Sequence, residues 1–311
     1  MMTASSETFK LFVLRHGQSE LNHENIFCGW IDAHLTEKGK NQAKNTAKLI
    51  RDYCDTNNIK LPEIGYTSRL IRTQETMEVI LQSLGKTGKF EIISAVADDL
   101  QNVSFPTISS QEQENGVIQV LQSWRLNERH YGSWQGQRKP KILEQYGDEQ
   151  YMYIRRDYNG KPPKVDLNLE MIQENNEKGA LTGYEFKEPN RHQKYHEEEA
   201  KGEVLPSSES LSEVVKRMKP FLENIILRFG KEQDQDSCLI VAHGSSVRSI
   251  LKVLENISDS AIKDIDIPNG IPLVIELNKS DFGLVRSFYL DPESAKINAA
   301  KVRNEGFEKS P

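Results

Sequence analysis

The stretch Leu11-Phe12-Val13-Leu14-Arg15-His16-Gly17 joins four apolar residues to an Arg-His-Gly triplet. Such an apolar run predicts a buried strand that ends at the triplet. Open α/β folds bind ligands at the carboxyl ends of their strands, so His16 is a candidate nucleophile at that edge. Arg15 supplies a planar guanidinium suited to phosphate oxygens, and Gly17 allows a sharp turn and a close approach of the backbone to a ligand.

A second stretch, Cys238-Leu239-Ile240-Val241-Ala242-His243-Gly244, has the same organisation. Its apolar run again predicts a buried strand, and Ser245-Ser246 predicts the start of a helix immediately after the glycine. Two strands of one chain that both end in His-Gly predict that His16 and His243 belong to one site.

Helical and strand patterns alternate through the rest of the chain. Helices are predicted from Thr36 to about Cys54, after a cap at Thr67-Ser68, and over Leu211–Phe229; strands are predicted at Pro62–Tyr66, Phe90–Val96, Val117–Leu121 and, as the last strand, Ile271–Leu277. Arg72 lies in the first turn of the second of these helices. The alternation predicts a single α/β domain over residues 1–311, in which helices cover both faces of a mostly parallel central sheet.

Composition excludes several classes of protein. The net charge is -6, whereas general nucleic-acid binding requires a basic domain or stripe. The three cysteines, Cys28, Cys54 and Cys238, are too few for a disulfide framework. No apolar run is long enough for a membrane span, and Met1–Lys10 lacks the apolar core of a signal peptide. We therefore expect a cytoplasmic protein that binds neither nucleic acid nor membrane.

Three polar segments lack a clear period. Asp98–Gly116 is predicted to be a mobile surface excursion, and the tail beyond Asp291 is predicted to be either a helix or a mobile flap. Within Gly160–Pro206, the spacing of His192, His196 and Glu197–Glu199 is similar to that of metal ligands. A solvated loop is the favoured interpretation there, because no strand or helix frames the pair.

A cluster of charged residues occupies Trp124–Gly132. It contains the carboxylate of Glu128, two arginines and His130, and the sequence that follows is a poor helix, so a loop is predicted. Lys139, Arg155 and Arg156 extend the positive charge into a helical region around Tyr146–Tyr158.

The two His-Gly strands resemble the histidine phosphatase superfamily, and the surrounding sequence resembles its cofactor-dependent phosphoglycerate mutases, in a fungal-type form with two inserted segments. The motifs that carry this resemblance are Leu14–Asn22, Gly29-Trp30, Leu126–Gly132, Tyr146–Gln150, Ile267–Pro272 and Tyr289–Pro292. The resemblance spans about residues 10–299 and implies a phosphoglycerate mutase-like fold.

The resemblance implies a chemistry that uses 2,3-bisphosphoglycerate as primer and intermediate and requires no metal. His16 would carry the phosphoryl group, and Glu128 would act as acid and base. Three further residues would neutralise the negative charge on the equatorial oxygens of the phosphoryl group during its transfer, namely Arg15, Arg72 and His243. The implied substrate-binding residues are Arg15, His16, Gly17, Gln18, Ser19, Glu20, Leu21, Asn22, Cys28, Gly29, Arg72, Glu128, Arg129, His130, Tyr131, Lys139, Arg155, Arg156, Gly244 and Ser245.

The sequence departs from the family pattern in four places. Cys28 stands where Thr or Ser is usual, and Ser245 where Asn is usual. Polar insertions at about residues 98–116 and 170–202 lie near the segment leading to Glu128 and near the usual entrance loops. Inserted loops cost little stability, but they can shift a catalytic group.

Three functions therefore stay open. The favoured one interconverts 3-phosphoglycerate and 2-phosphoglycerate in glycolysis and gluconeogenesis. A phosphatase of the same superfamily would use His16 with water as acceptor, and a weakly active or inactive paralogue would serve in binding or regulation. The expected partners are small phosphoglycerates, and a homo-oligomer is left open.

Overall fold

A computed structural model describes residues 7–166, 188 and 191–307, and these residues contain one seven-stranded sheet. The strands are β1 (Thr8–Arg15), β2 (Ile64–Thr67), β3 (Thr87–Ile92), β4 (Val117–Gln122), β5 (Ser237–Ala242), β6 (Leu273–Asn278) and β7 (Leu284–Tyr289). They are arranged in the order β3-β4-β2-β5-β1-β6-β7. The first five strands pair in parallel, and β6 and β7 add an antiparallel edge. The predicted mostly parallel sheet is confirmed.

Helices connect and cover the strands. They are α1 (Glu20–His23), α2 (Glu37–Asn57), α3 (Ile71–Ser83), α4 (Ser110–Glu114), α5 (Lys139–Arg156), α6 (Arg191–Lys194), α7 (His196–Ala200), α8 (Leu211–Phe221), α9 (Arg228–Glu232), α10 (Gly244–Leu254) and α11 (Pro292–Arg303). A π-helical segment, Leu222–Leu227, joins α8 to α9 without interruption. None of the helices described is long and apolar enough to cross a membrane.

Alternate side chains of β1 enter two separate cores. Leu11 and Val13 pack in a cluster with residues of α8 and α10, whereas Phe12 and Leu14 pack in a cluster with residues of α2 and α3. All four side chains are at most 1% exposed. Burying each contributes about 1.5–3 kcal/mol, so β1 is held firmly from both faces and its carboxyl end is a rigid platform.

The helix start predicted at Thr67-Ser68 is wrong. Thr67 is the last residue of β2, and α3 begins at Ile71 after Leu70, whose side chain makes no capping bond. The hydroxyl of Ser68 is instead hydrogen-bonded to His243, 2.8 Å from its Nε2 atom. By contrast, Thr36 caps α2 as predicted, since its Oγ1 accepts the amide of Gly39 at 3.1 Å.

Ile271–Leu277 is not the last strand, because β7 follows β6 in a hairpin. The sequence of β7 lacks the alternation of apolar and polar residues that predicts a strand, because β7 forms the edge of the sheet and its residues are exposed or half-buried. The tail then forms α11, in which Asp291 accepts the amide of Ser294 at 3.1 Å. Of the two alternatives for the tail, the helix is confirmed over Pro292–Arg303.

Both inserted segments contain helical turns where loops are predicted. Ala97–Asn102 forms a 3-10 helix whose Leu100 is fully buried in the core. The second insertion lies partly outside the described residues. Its described part contains α6 and α7, and Glu198 of α7 pairs with Arg69. His192 and His196 are exposed there, and the described residues include no group of three or more His, Cys, Asp or Glu able to hold a metal.

Candidate active site

The two strand-end histidines face each other at the carboxyl edge of the sheet. Strands β1 and β5 are adjacent and in register, with Arg15 opposite Ala242, so His16 and His243 follow side by side. Their ring centroids lie 5.1 Å apart, and both residues are at most 2% exposed. The register of two central strands therefore brings together residues that are more than two hundred positions apart in the chain.

His16 is held as a neutral imidazole with a defined tautomer. Its Nδ1 atom lies 2.6 Å from the carbonyl oxygen of Gly17, which can only accept, so Nδ1 carries the proton. Burial, followed by the charges of Arg72 and Arg15, holds the pKa of His16 well below its usual range. The lone pair therefore resides on Nε2, which faces the Nε donor of Arg72 at 3.1 Å. This arrangement suits a nitrogen nucleophile whose target is an anion.

Two arginines and the second histidine surround this nitrogen. Arg72 donates to the carbonyl oxygens of Gly29 and Ile31, at 2.8 Å each, and is thereby fixed in place. Nε of Arg15 and Nδ1 of His243 are buried and have no hydrogen-bond partner among the described residues. Buried polar atoms are normally paired, so the Nε–H of Arg15 fits an anion bound between the histidines. Nδ1 of His243 can donate to that anion only when its ring is protonated.

A chain of hydroxyl groups sets the tautomer of His243. Thr73 Oγ1 lies 2.8 Å from the carbonyl oxygen of Leu70 and must donate its only proton there. Ser68 must then donate to Thr73, so it can only accept from Nε2–H of His243. Burial lowers the pKa of His243 well below its usual range, which leaves Nδ1 as a bare acceptor in the neutral ring.

Glu128 is held in the same cavity by contacts to its backbone and its carboxylate. Its Oε1 accepts the amides of Arg129 at 2.7 Å and Ser245 at 3.2 Å. Its carbonyl oxygen accepts from Trp30 Nε1 at 2.7 Å and from Arg217 at 3.0 Å. The predicted loop at Glu128 is confirmed, and buried donors from distant parts of the chain hold it rigid.

The far end of the cavity carries further cations. Lys139 and Arg155 lie at the two ends of α5 and approach the same carboxylate, that of Glu305, at 2.5 and 3.1 Å. Arg156 pairs with Asp266 at 2.6 Å. The α5 helix changes direction at Gly147, where φ is +76°, a value that favours glycine.

The cavity includes most of the predicted site residues. Those that line it are Arg15, His16, Asn22, Cys28, Gly29, Arg72, Glu128, Tyr131, Lys139, Arg155, Arg156, Gly244 and Ser245. Burial raises the pKa of the Cys28 thiol, whose Sγ donates to the carbonyl oxygen of Ile31, so the group is a neutral part of the wall.

Several predicted binding residues lie outside the cavity wall. They are Gly17, Gln18, Ser19, Glu20, Leu21, Arg129 and His130. Ser19 caps α1 and Leu21 is fully buried, which places them in a structural turn instead of a phosphate loop. Arg129 donates to carbonyl oxygens at the end of α5, and His130 pairs with Glu188 at 2.6 Å. These side chains support the site from behind.

Sequence reasoning missed six residues of the wall, namely Ile26, Phe27, Arg248, Ile267, Val302 and Glu305. Arg248 lies one turn after the second His-Gly, in α10, and that position was a usable signal. Glu305 lies just beyond α11, in a tail whose path across the cavity no local pattern predicts.

Gly17 is required by close packing of two chain segments. A Cβ atom added there would lie 2.4 Å from the carbonyl oxygen of Gly39, at the start of α2. We therefore expect Gly17→Ala to lower the free energy of unfolding by about 1–3 kcal/mol, because backbone must move. Urea denaturation measures this change, and a midpoint equal to that of the unmodified protein would contradict it.

The sheet and the paired strand-end histidines define the class of protein. The model of the "Histidine phosphatase superfamily (branch 1)" matches residues 11–114 and 175–288. Among solved structures, a phosphoglycerate mutase from Bacillus anthracis has a TM-score of 0.53 at 17% identity, and covers 96% of this chain and 98% of its own. A mycobacterial glucosyl-3-phosphoglycerate phosphatase has a TM-score of 0.55 at 17% identity, over 91% of this chain and 97% of its own. At these identities the likeness concerns the fold alone.

Curated relatives define the branch. "Phosphoglycerate mutase 3" of Saccharomyces cerevisiae is 65% identical over 309 residues, which are 98% of this chain and 99% of the relative. "Phosphoglycerate mutase 2" of the same organism is 61% identical over 315 residues, covering both chains fully. A 2,3-bisphosphoglycerate-dependent phosphoglycerate mutase of Bifidobacterium longum is 37% identical over 303 residues, 96% of this chain and 99% of its own. The chain belongs to the phosphoglycerate mutases of the histidine phosphatase superfamily.

Proposed function

We propose that this enzyme is an isomerase that interconverts 3-phosphoglycerate and 2-phosphoglycerate through a phosphorylated His16. The observation that carries the proposal is the presence of Glu128, an acid and base, in the same buried cavity as a neutral, correctly protonated His16. The names of the curated relatives support the same reaction.

His16 Nε2 forms a bond to phosphorus while the bond from phosphorus to the substrate oxygen breaks. Charge develops on the equatorial oxygens, and Arg15 and Arg72 are already fixed around the position where it appears. Preorganised donors of this kind contribute about 10²–10³-fold each in other enzymes. No reorganisation of the arginines is needed, because backbone carbonyl groups already hold them.

Glu128 moves the proton. When the phosphoryl group moves from His16 to a substrate hydroxyl, the carboxylate takes the proton of that hydroxyl as its oxygen bonds to phosphorus. When the phosphoryl group moves from the substrate to His16, Glu128 returns the proton to the leaving oxygen. Backbone amides hold only Oε1, so Oε2 is left to face the substrate. The use of two neighbouring hydroxyls in turn makes the net reaction an isomerisation.

The residues present fit 2,3-bisphosphoglycerate, the cofactor in the names of the bacterial relatives. Arg15 offers an unpartnered buried N–H to the cavity, and Lys139 and Arg155 add positive charge to its wall. The ring of His243, beside that of His16, offers a further donor once it is protonated. When bound, the cofactor supplies the phosphoryl group that loads His16. This cycle serves glycolysis and gluconeogenesis in the cytoplasm, as expected from the sequence, and needs no metal.

We expect Ser68→Ala to lower kcat about tenfold, because Nε2–H of His243 loses its buried acceptor and the ring its fixed tautomer. Nitrogen NMR of the His243 ring would show the loss of the Nε2–H form. Thr73→Ser keeps the hydroxyl chain and should keep kcat, whereas Thr73→Val should lower it. An unchanged nitrogen spectrum of the His243 ring in Ser68→Ala would show that the hydroxyl groups of Ser68 and Thr73 do not position that ring.

A direct assay separates this function from its alternatives. Purified protein is given 3-phosphoglycerate with a trace of 2,3-bisphosphoglycerate, and 2-phosphoglycerate and released inorganic phosphate are measured together. The proposal predicts 2-phosphoglycerate as the main product. Predominant phosphate release would identify a phosphatase, and neither product would indicate a binding or regulatory paralogue.

A further inference from the structure

The C-terminal tail places a carboxylate inside the active-site cavity. Glu305 follows α11 by two residues, and its side chain is only 23% exposed. Lys139 Nζ lies 2.5 Å from its Oε2, and an Arg155 nitrogen lies 3.1 Å from the same atom. Burial alone would raise the pKa of Glu305, but Lys139 and Arg155 outweigh burial and lower it to about 2. The group is therefore an anion at any physiological pH.

Several backbone contacts fix this part of the tail. Arg155 donates to the carbonyl oxygens of Val302, Arg303 and Glu305, and the Tyr151 hydroxyl donates to that of Glu305 at 2.9 Å. Gly306, with φ +98°, passes so close to Tyr151 that a Cβ atom would lie 2.4 Å from its hydroxyl oxygen. Glu305 is thus positioned by the fold.

Glu305 pairs with Lys139 and Arg155, the cations that the proposed function assigns to bound 2,3-bisphosphoglycerate and that the resemblance assigns to the substrate. Arg156 is neutralised by Asp266, and Arg129 is committed to backbone carbonyl groups behind the cavity. Arg248, which also lines the cavity, donates to the carbonyl oxygens of Arg156 and Ile262. Lys139 and Arg155 both contact Glu305. A substrate carboxylate that binds Lys139 and Arg155 must therefore compete with the carboxylate of Glu305.

Glu305 also divides the space available to a ligand. The inner cavity beside His16 measures about 60 Å³, and an outer cleft measures about 520 Å³. Glu305, Val302 and Asn22 line both spaces, so they form the partition. Ligand pockets usually measure about 300–1,000 Å³, so the inner cavity with Glu305 in place is small for a phosphoglycerate.

We propose that Glu305 is a specificity-determining residue, an internal carboxylate that competes with the substrate carboxylate for Lys139 and Arg155. This inference rests on the proposed function, since it assigns those cations to phosphoglycerate. A phosphoglycerate must displace Glu305 to bind along the whole cavity. An anion confined to the histidine end, such as inorganic phosphate, binds without displacing it.

The test compares Glu305→Gln with Glu293→Gln, which makes the same change of charge at an exposed position of α11. Dissociation constants for 3-phosphoglycerate and inorganic phosphate are measured by calorimetry on the full chain. We expect Glu305→Gln to bind 3-phosphoglycerate about tenfold more tightly and to change phosphate binding less than twofold, while Glu293→Gln changes neither. A tenfold change corresponds to about 1.4 kcal/mol.

Each other outcome has a distinct meaning. Equal or weaker binding of 3-phosphoglycerate by Glu305→Gln would overturn the role of Glu305 and leave the proposed function standing. If all proteins bind phosphate and none binds 3-phosphoglycerate, the proposed function fails and this inference fails with it. Glu305→Ala, which removes the whole carboxylate, provides a second variant should the glutamine protein not fold.

Discussion

His16→Ala abolishes turnover and prevents any phosphoryl group from being retained on the protein, if the chemistry runs through Nε2 of this ring. Loss of a covalent nucleophile typically costs about 10⁴–10⁶-fold in kcat, since the remaining groups only bind the substrate. Arg15, Arg72 and Glu128 are held by backbone groups independent of the imidazole, apart from one bond from Arg72. The site should therefore keep its shape in the variant.

His196→Ala is the matched control for this variant, because His196 is an exposed histidine of α7 with no place in the cavity. Its kcat should equal that of the unmodified protein. Steady-state turnover and trapping of phosphorylated protein are measured on the same preparations. Turnover by His16→Ala within tenfold of the unmodified protein would remove His16 from the reaction.

Glu128→Gln has the second largest expected effect, a fall in kcat of about 10²–10⁴-fold. The amide is the same size as the carboxylate, and its oxygen can still accept the amides of Arg129 and Ser245. It cannot take a proton from a hydroxyl. We therefore expect the dissociation constant for 3-phosphoglycerate to change little while the phosphoryl transfer slows.

Glu114→Gln, at an exposed position of α4, controls for the loss of one negative charge. Single-turnover transfer from phosphorylated protein to 3-phosphoglycerate isolates the step in which the proton moves. Normal transfer in Glu128→Gln would exclude Glu128 as the base. Weakened binding with normal transfer would reassign it to substrate binding.

Strand patterns predicted the centre of the site because that part depends on local sequence. Apolar runs at β1 and β5 are signals within one element, and parallel strands place their carboxyl ends together. The positions of His16 and His243 follow from those two facts. Local patterns placed Arg72 at a helix start and Glu128 in a loop, whereas the roles expected of both came from the resemblance to the phosphoglycerate mutases.

Long-range contacts account for the differences between the roles expected from the sequence and the contacts found in the structure. Arg129 has the charge of an anion-binding residue, but its donors satisfy carbonyl oxygens of α5, a helix that begins ten residues later. Ser68 is of a residue type that often caps helices, but its hydroxyl is hydrogen-bonded to a histidine 175 residues away. Glu305 reaches Lys139 across 166 residues. No local pattern contains such partners.

The most direct test of the phosphohistidine mechanism is to identify which residue carries the phosphoryl group. The protein is incubated with phosphorus-labelled 2,3-bisphosphoglycerate, digested at neutral to alkaline pH, and the acid-labile label is mapped by mass spectrometry. We expect one labelled position, His16, and release of the label on addition of 3-phosphoglycerate. Label on another residue, or isomerisation with no labelled histidine, would contradict this mechanism.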